Sequence, residues 1–115
     1  SIRPRDFTAE VLRRIAVPAG YTEKENLWLK VFGKKGKEEK MVEMDCNVGT
    51  QEGWEDATCN IDTGFPAAIT AEMIKNGVIT KRGMFSPESV IPHEPFFIEL
   101  GRRKLWIYEN GKRIN

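Results

Sequence analysis

The chain predicts an α+β fold, an antiparallel sheet with helices packed on one face. Two runs of alternating residues, Leu27 to Phe32 and Met41 to Val48, flank a Gly- and Lys-rich turn and read as a hairpin. Two segments, Arg3 to Arg14 and Phe65 to Asn76, combine apolar residues at helical spacing with recognisable start and stop residues. Strands and helices do not alternate regularly, which argues against a βαβ layout.

In the first helix, Pro4 sits where the first turn begins. Asp6 and Glu10 lie early and Arg13 and Arg14 late, as the helix dipole favours. Phe7, Val11, Leu12 and Ile15 form an apolar face that should lie on another surface, and Val17-Pro18-Ala19-Gly20 should stop the helix. In the first strand, Leu27, Leu29 and Val31 point one way and Trp28, Lys30 and Phe32 the other. With bulk on both sides, that strand is either covered twice or part of a subunit contact. Gly33 to Lys37 makes the turn, and Val42, Met44, Cys46 and Val48 line one face of the return strand.

Ala57 to Asp62 reads as a further extended piece ending at Thr63. The second helix then offers Ile69, Met73 and Ile74 for packing, with Gly77 as the residue after its C-cap. Pro87, Pro92 and Pro95 break the region after Gly83. A third helix is expected over Phe96 to Arg103 and a strand over Leu105 to Tyr108, followed by an Asn110-Gly111 turn with little chain left to pair.

The length of 115 residues, 40% of them hydrophobic, suits a single domain over 1–115. Eighteen basic against 17 acidic residues lack the excess of a nucleic-acid binder. The lysine cluster Lys34, Lys35, Lys37, Lys40 is interrupted by Glu38 and Glu39 and reads as a solvated hairpin tip. No apolar run approaches the roughly 20 residues that span a bilayer, and no leader pattern is visible; a cytoplasmic protein is expected. The chain opens on Ser1 rather than Met, so either a segment cut from something longer or the remnant of a tag is expected. Cys46 and Cys59 lie outside any CxxC pattern and His93 is the only histidine, so no usual metal set can be assembled. Both thiols read as small, partly buried hydrophobes in a reduced compartment.

The sequence has no GxGxxG, P-loop, HExxH or GxSxG motif. His93, between Pro92 and Glu94, reads as a surface or structural histidine rather than a general base. Asp45, Glu55, Asp56 and Asp62 are solvated acids by default, and Trp28, Trp54 and Trp106 are core or interface anchors. The positive constellation is Thr63-Gly64-Phe65-Pro66-Ala67-Ala68, read as a tight loop running into a helix. Pro66 would occupy the first turn, and Ala67, Ala68 and Ala71 would let a neighbour approach closely. Two readings stay open there: exposed helix N–H groups that take a carboxylate or phosphate, or a helix simply capped by Thr63 or Asp62.

Pro4-Arg5-Asp6-Phe7, the hairpin, Thr63-Gly64-Phe65-Pro66-Ala67-Ala68, Gly83, Pro87-Glu88, Pro95-Phe96-Phe97 and Leu100 follow one another in an order that resembles the C-terminal domain of the saccharopine dehydrogenase-like family. The resemblance covers nearly the whole chain; the Thr-Gly-aromatic-Pro-Ala-Ala block is its most specific part. It departs at Arg3, where the motif has a capping Ser.

The resemblance implies an α+β unit that closes over substrate and makes a dimer contact, joined in the full-length protein to a Rossmann domain binding NAD or NADP. The chemistry implied is oxidation or reduction of a C–N bond in an amino acid or amine such as saccharopine or lysine. Substrate contacts implied are Arg5, Thr63, Gly64, Phe65 and Pro66; Trp28 and Phe32 are the expected homodimer contact. This chain, without the Rossmann half, should carry no cofactor and little activity alone. The competing reading is a non-catalytic homodimeric binding or docking module.

Overall fold

The computed structural model describes residues 2–16 and 18–115; Ser1 and Val17, the latter at the start of the expected helix stop, lie outside them. The elements run α1 (Pro4–Arg13), β1 (Lys24–Lys35), β2 (Glu38–Gly49), a 3₁₀ segment (Glu55–Asn60), α2 (Ile61–Lys75), α3 (Pro87–Val90), α4 (His93–Arg102), β3 (Ile107–Glu109) and β4 (Lys112–Arg113). The fold is α+β. One antiparallel sheet is ordered β1-β2-β3-β4.

The hairpin is longer than its alternation suggests. Its turn narrows to Gly36 and Lys37, with Lys35 facing Glu38. Gly36 has φ +69° and Lys37 is not left-handed, the pattern of a type II′ turn with glycine first. That turn fixes the register: Leu27 faces Cys46, Leu29 faces Met44 and Val31 faces Val42, so one sheet face is apolar over that stretch. The Asn110-Gly111 turn forms as expected, with both residues at positive φ, and pairs Tyr108 with Arg113.

The core lies at one end of this sheet. Cys46 and Val48 of β2 meet Cys59, Ile61, Ile69, Met73, Ile79, Leu100 and Leu105 there. A salt-bridge network ties α2 to α4: Arg103 reaches Glu99 at 2.6 Å and Glu72 at 2.7 Å. The guanidinium holds the Glu99 carboxyl below the usual carboxylate range. Asn115 closes the other side, donating to the Phe97 and Leu105 carbonyls while accepting from the Ile107 N–H.

Several expectations need correcting. Ala57 to Asp62 is not extended; it forms the 3₁₀ segment and the start of α2. Cys59 and Ile61 reach the core across a kink at Thr58 (φ +50°, ψ −123°), not through strand alternation. Ile74 is exposed, whereas Ile61, at the other end of the helix, is in the core. The third helix starts at His93, which puts Pro95 within the first turn, where a missing N–H costs nothing. The apolar face of α1 lies on nothing among the described residues: Phe7 and Leu12 are 60% exposed and no α1 residue is buried. α1 also lacks a side-chain cap at Arg3.

The helices cover only the inner end of the hairpin, and every β1 residue is exposed. The molecule measures 60 × 35 × 34 Å with a radius of gyration of 18.9 Å. A closely packed chain of this length would have about 13 Å.

The burial pattern predicts a sharp contrast. Ile69, fully buried, should cost roughly 2–5 kcal/mol when cut to Ala. Phe7→Ala on exposed α1 should change stability by no more than about 0.5 kcal/mol. Denaturant unfolding of the two variants checks both values.

Candidate functional site

Gly77 confirms the C-terminal end of α2: its φ is +73°, Val78 N–H bonds the Met73 carbonyl and Gly77 N–H bonds the Ile74 carbonyl. This is a Schellman motif, as the sequence anticipates. The other end differs. α2 begins at Ile61, so Thr63 and Gly64 are helical, and Pro66 is the sixth residue rather than part of a first turn.

That shift overturns the anion-cradle reading. The fourth helical residue, Gly64, already has its N–H inside the helical ladder. The acidic Asp62 occupies the first turn, and Thr63 Oγ1 donates to its carboxylate at 3.1 Å. Neither Thr63 nor Asp62 caps the helix; Asn60 is the N-cap and makes no side-chain cap bond. The physical reason is Ile61, whose burial draws the helix start back toward the kink at Thr58.

What the block does form is a smooth exposed face. Thr63, Gly64, Ala67, Ala68 and Ala71 are all exposed, and a Cβ built on Gly64 meets nothing within 4 Å. Phe65 and Pro66 are half-buried beside it, with Phe65 packed edge-on to Trp54 at 5.3 Å. Arg5 stands apart on α1, its side chain 90% exposed and 3.9 Å from Asp6. The expected substrate residues are therefore on two elements, α1 and α2.

Trp28 and Phe32 share the polar face of β1, exposed at 57% and 75%. Trp28 Nε1 donates to Glu43 at 2.9 Å and Lys30 Nζ pairs with the same carboxylate at 2.7 Å. Lys30 and Trp28 together hold the Glu43 carboxyl below its usual range.

The structure adds a cluster that the sequence does not suggest. Tyr21, Glu23, Thr50, Glu55, Asp56 and Thr58 line an open cavity of about 570 Å³. Glu23 accepts from the Tyr21 hydroxyl at 2.6 Å and the Cys59 N–H at 3.3 Å. The Thr58 hydroxyl, then Tyr21 and the Cys59 N–H, hold its carboxyl below the carboxylate range. The same contact with Glu23 holds the Tyr21 phenol protonated above its ordinary value. These residues come from three separated segments, so no local pattern marks them.

Cys46 and Cys59 are free and buried; desolvation pushes both thiols up, and neither is a ready nucleophile at neutral pH. His93 is exposed at the start of α4, edge-on to Phe97. Among the described residues no group of three His, Cys, Asp or Glu is placed to hold a metal. No helix of the described residues is long and apolar enough to cross a membrane.

A comparison with protein-family models matches the saccharopine dehydrogenase C-terminal domain over residues 1–105. The chain belongs to that family. The match takes in α1, the hairpin, α2 and α4, and so both the exposed small-residue face and the cavity around Glu23. The family is one of NAD(P)-dependent oxidoreductases, and this domain is a part of such enzymes. No solved structure matches the chain.

Two outcomes follow from the site. Gly64→Ala, in an open helical position, should raise stability by about 0.5–1 kcal/mol while adding a methyl group to the small-residue face. Thermal melting checks the first part. For Glu23, whose folded pKa is depressed, the stabilisation is present above the unfolded pKa and is lost as pH falls through the folded value. Glu23→Gln should therefore flatten the acid limb of stability against pH, measured by denaturant unfolding between about pH 6 and 3.

Proposed function

We propose that this chain is the substrate-side and dimerisation domain of an NAD(P)-dependent oxidoreductase acting on a C–N bond of an amino acid such as saccharopine or lysine. The observation that carries the reading is the family match over residues 1–105. The domain spans 1–115, and its Rossmann partner belongs to the full-length protein. That partner binds NAD or NADP, and the dinucleotide site is not in this chain.

The exposed face Thr63-Gly64-Ala67-Ala68 supports a close approach by the partner domain or by substrate, since nothing bulky projects from it. Phe65 and Pro66 border that approach, and Arg5 offers an exposed guanidinium to a substrate carboxylate. The carboxylates Glu23, Glu55 and Asp56 around the open cavity favour a ligand that carries a protonated amine. An amino-acid or amine substrate has both kinds of group. Trp28 and Phe32, large and exposed on β1, are the contact we assign to a homodimer in the cytoplasm.

A second reading, a homodimeric docking module without chemistry, is favoured by one observation: Trp28, Phe32 and the α1 stripe form apolar surface that needs no cofactor to be used.

The experiment uses the full-length enzyme. Thr63→Val combined with Arg5→Ala should lower kcat/KM at least about tenfold, mostly through KM, if these groups hold substrate. Unchanged activity and affinity would remove both residues from the site. Supplying the Rossmann half to this chain should restore turnover that neither part shows alone; no turnover in the reassembled pair would favour the docking module.

A further inference from the structure

β1 is an edge strand, 12 residues long and exposed throughout. Its free edge has a defined pattern. The Glu43 carbonyl accepts from the Asn110 N–H and the Glu43 N–H donates to Asn110 Oδ1, so both backbone groups of Glu43 point away from β1. Lys30, opposite Glu43, therefore presents its own N–H and C=O to the open edge. With period two, Asn26, Trp28, Phe32 and Lys34 do the same. Such an edge templates another strand unless something blocks it, and β1 contains neither proline nor a bulge that would do so.

We propose that the occupant of this edge is β1 of a second copy, joined antiparallel about a two-fold axis through Lys30. The inference rests on the dimer reading above and assigns its geometry. In this register Glu25 meets the second copy's Lys35 at both ends, and neither residue is in an ion pair among the described residues. Trp28 meets Phe32 on one face, twice by symmetry. Leu29 meets Val31, and Leu27 lies over Gly33, on the other. The two Lys30 side chains face each other at the axis, but each is already neutralised by Glu43 at 2.7 Å.

Neighbouring registers are worse: an axis at Val31 sets Lys35 against Leu27 twice and leaves Glu25 opposite a turn residue beyond the strand end. An axis at Leu29 sets Lys24 against Lys34 twice, and an axis at Phe32 sets Lys30 against Lys34 twice. An axis at Trp28 leaves Glu25 opposite Val31. The contact is isologous, as a closed dimer requires, and it joins two four-stranded sheets into one of eight.

Glu25 and Lys35 are ten positions apart, about 33 Å along the strand, so they cannot meet within one chain. That separation supplies the test, read by analytical ultracentrifugation of the 115-residue chain. Glu25→Lys alone and Lys35→Glu alone should each weaken self-association about tenfold, by setting like charges opposite one another. The double swap should restore it. Phe32→Pro should abolish association with unchanged far-UV circular dichroism, because the N–H it removes faces the edge and not β2. A dimer indifferent to the single swaps, or a double swap without rescue, overturns the β1 register while leaving the dimer reading intact. A monomer at high concentration overturns both.

Discussion

The structure depends on one seam, where the inner end of β2 meets α2. Val48 and Cys46 enter the core from the sheet, and Ile61, Ile69 and Met73 enter it from the helix. Everything else is hung from that contact. The two-residue turn at Gly36 sets which face of β2 carries Cys46 and Val48, and a slip of one residue would send both outward. The kink at Thr58 brings Ile61 in and so decides where α2 begins. The Arg103 network and the Asn115 side chain then hold α4 and the last strand pair against the same seam.

Such a small core leaves much of the hydrophobic sequence outside. Nine apolar residues are buried among those described, while Phe7, Val11, Leu12 and Ile15 of the first segment and Leu27, Leu29 and Val31 of β1 are not. Exposed apolar surface in contiguous stripes of this kind marks an interface more often than chance. The α2 face is the opposite case: small side chains and no bulk, a surface suited to close approach rather than to adhesion. The proposed place of this domain, between a cofactor-binding partner and a second copy of itself, would use both kinds of surface.

The sequence carried the fold well where the signal is local. Alternation located both long strands, Asn110-Gly111 located the last hairpin, and Gly77 located the end of α2. It failed where long-range burial decides. Thr63-Gly64 reads as a loop ahead of a helix that starts at Phe65, yet with Ile61 buried the helix already begins there and takes in both residues. The amphipathic spacing of α1 is real, but periodicity says only that a helix has an apolar side, not that its own chain covers it. The cavity around Glu23 was not legible at all, since it joins residues from three segments through a backbone conformation at Thr58 that no residue type announces.

Residue-resolved amide exchange along β1 tests the account most directly, because it reads the edge itself. At low concentration the odd-numbered amides from Glu25 to Lys35, paired to β2, should exchange slowly and the even-numbered ones fast. At high concentration the even-numbered amides of Asn26, Trp28, Lys30, Phe32 and Lys34 should slow as well. Fast exchange of the even-numbered amides at every concentration, or protection without alternation at low concentration, would contradict a free, self-complementary edge.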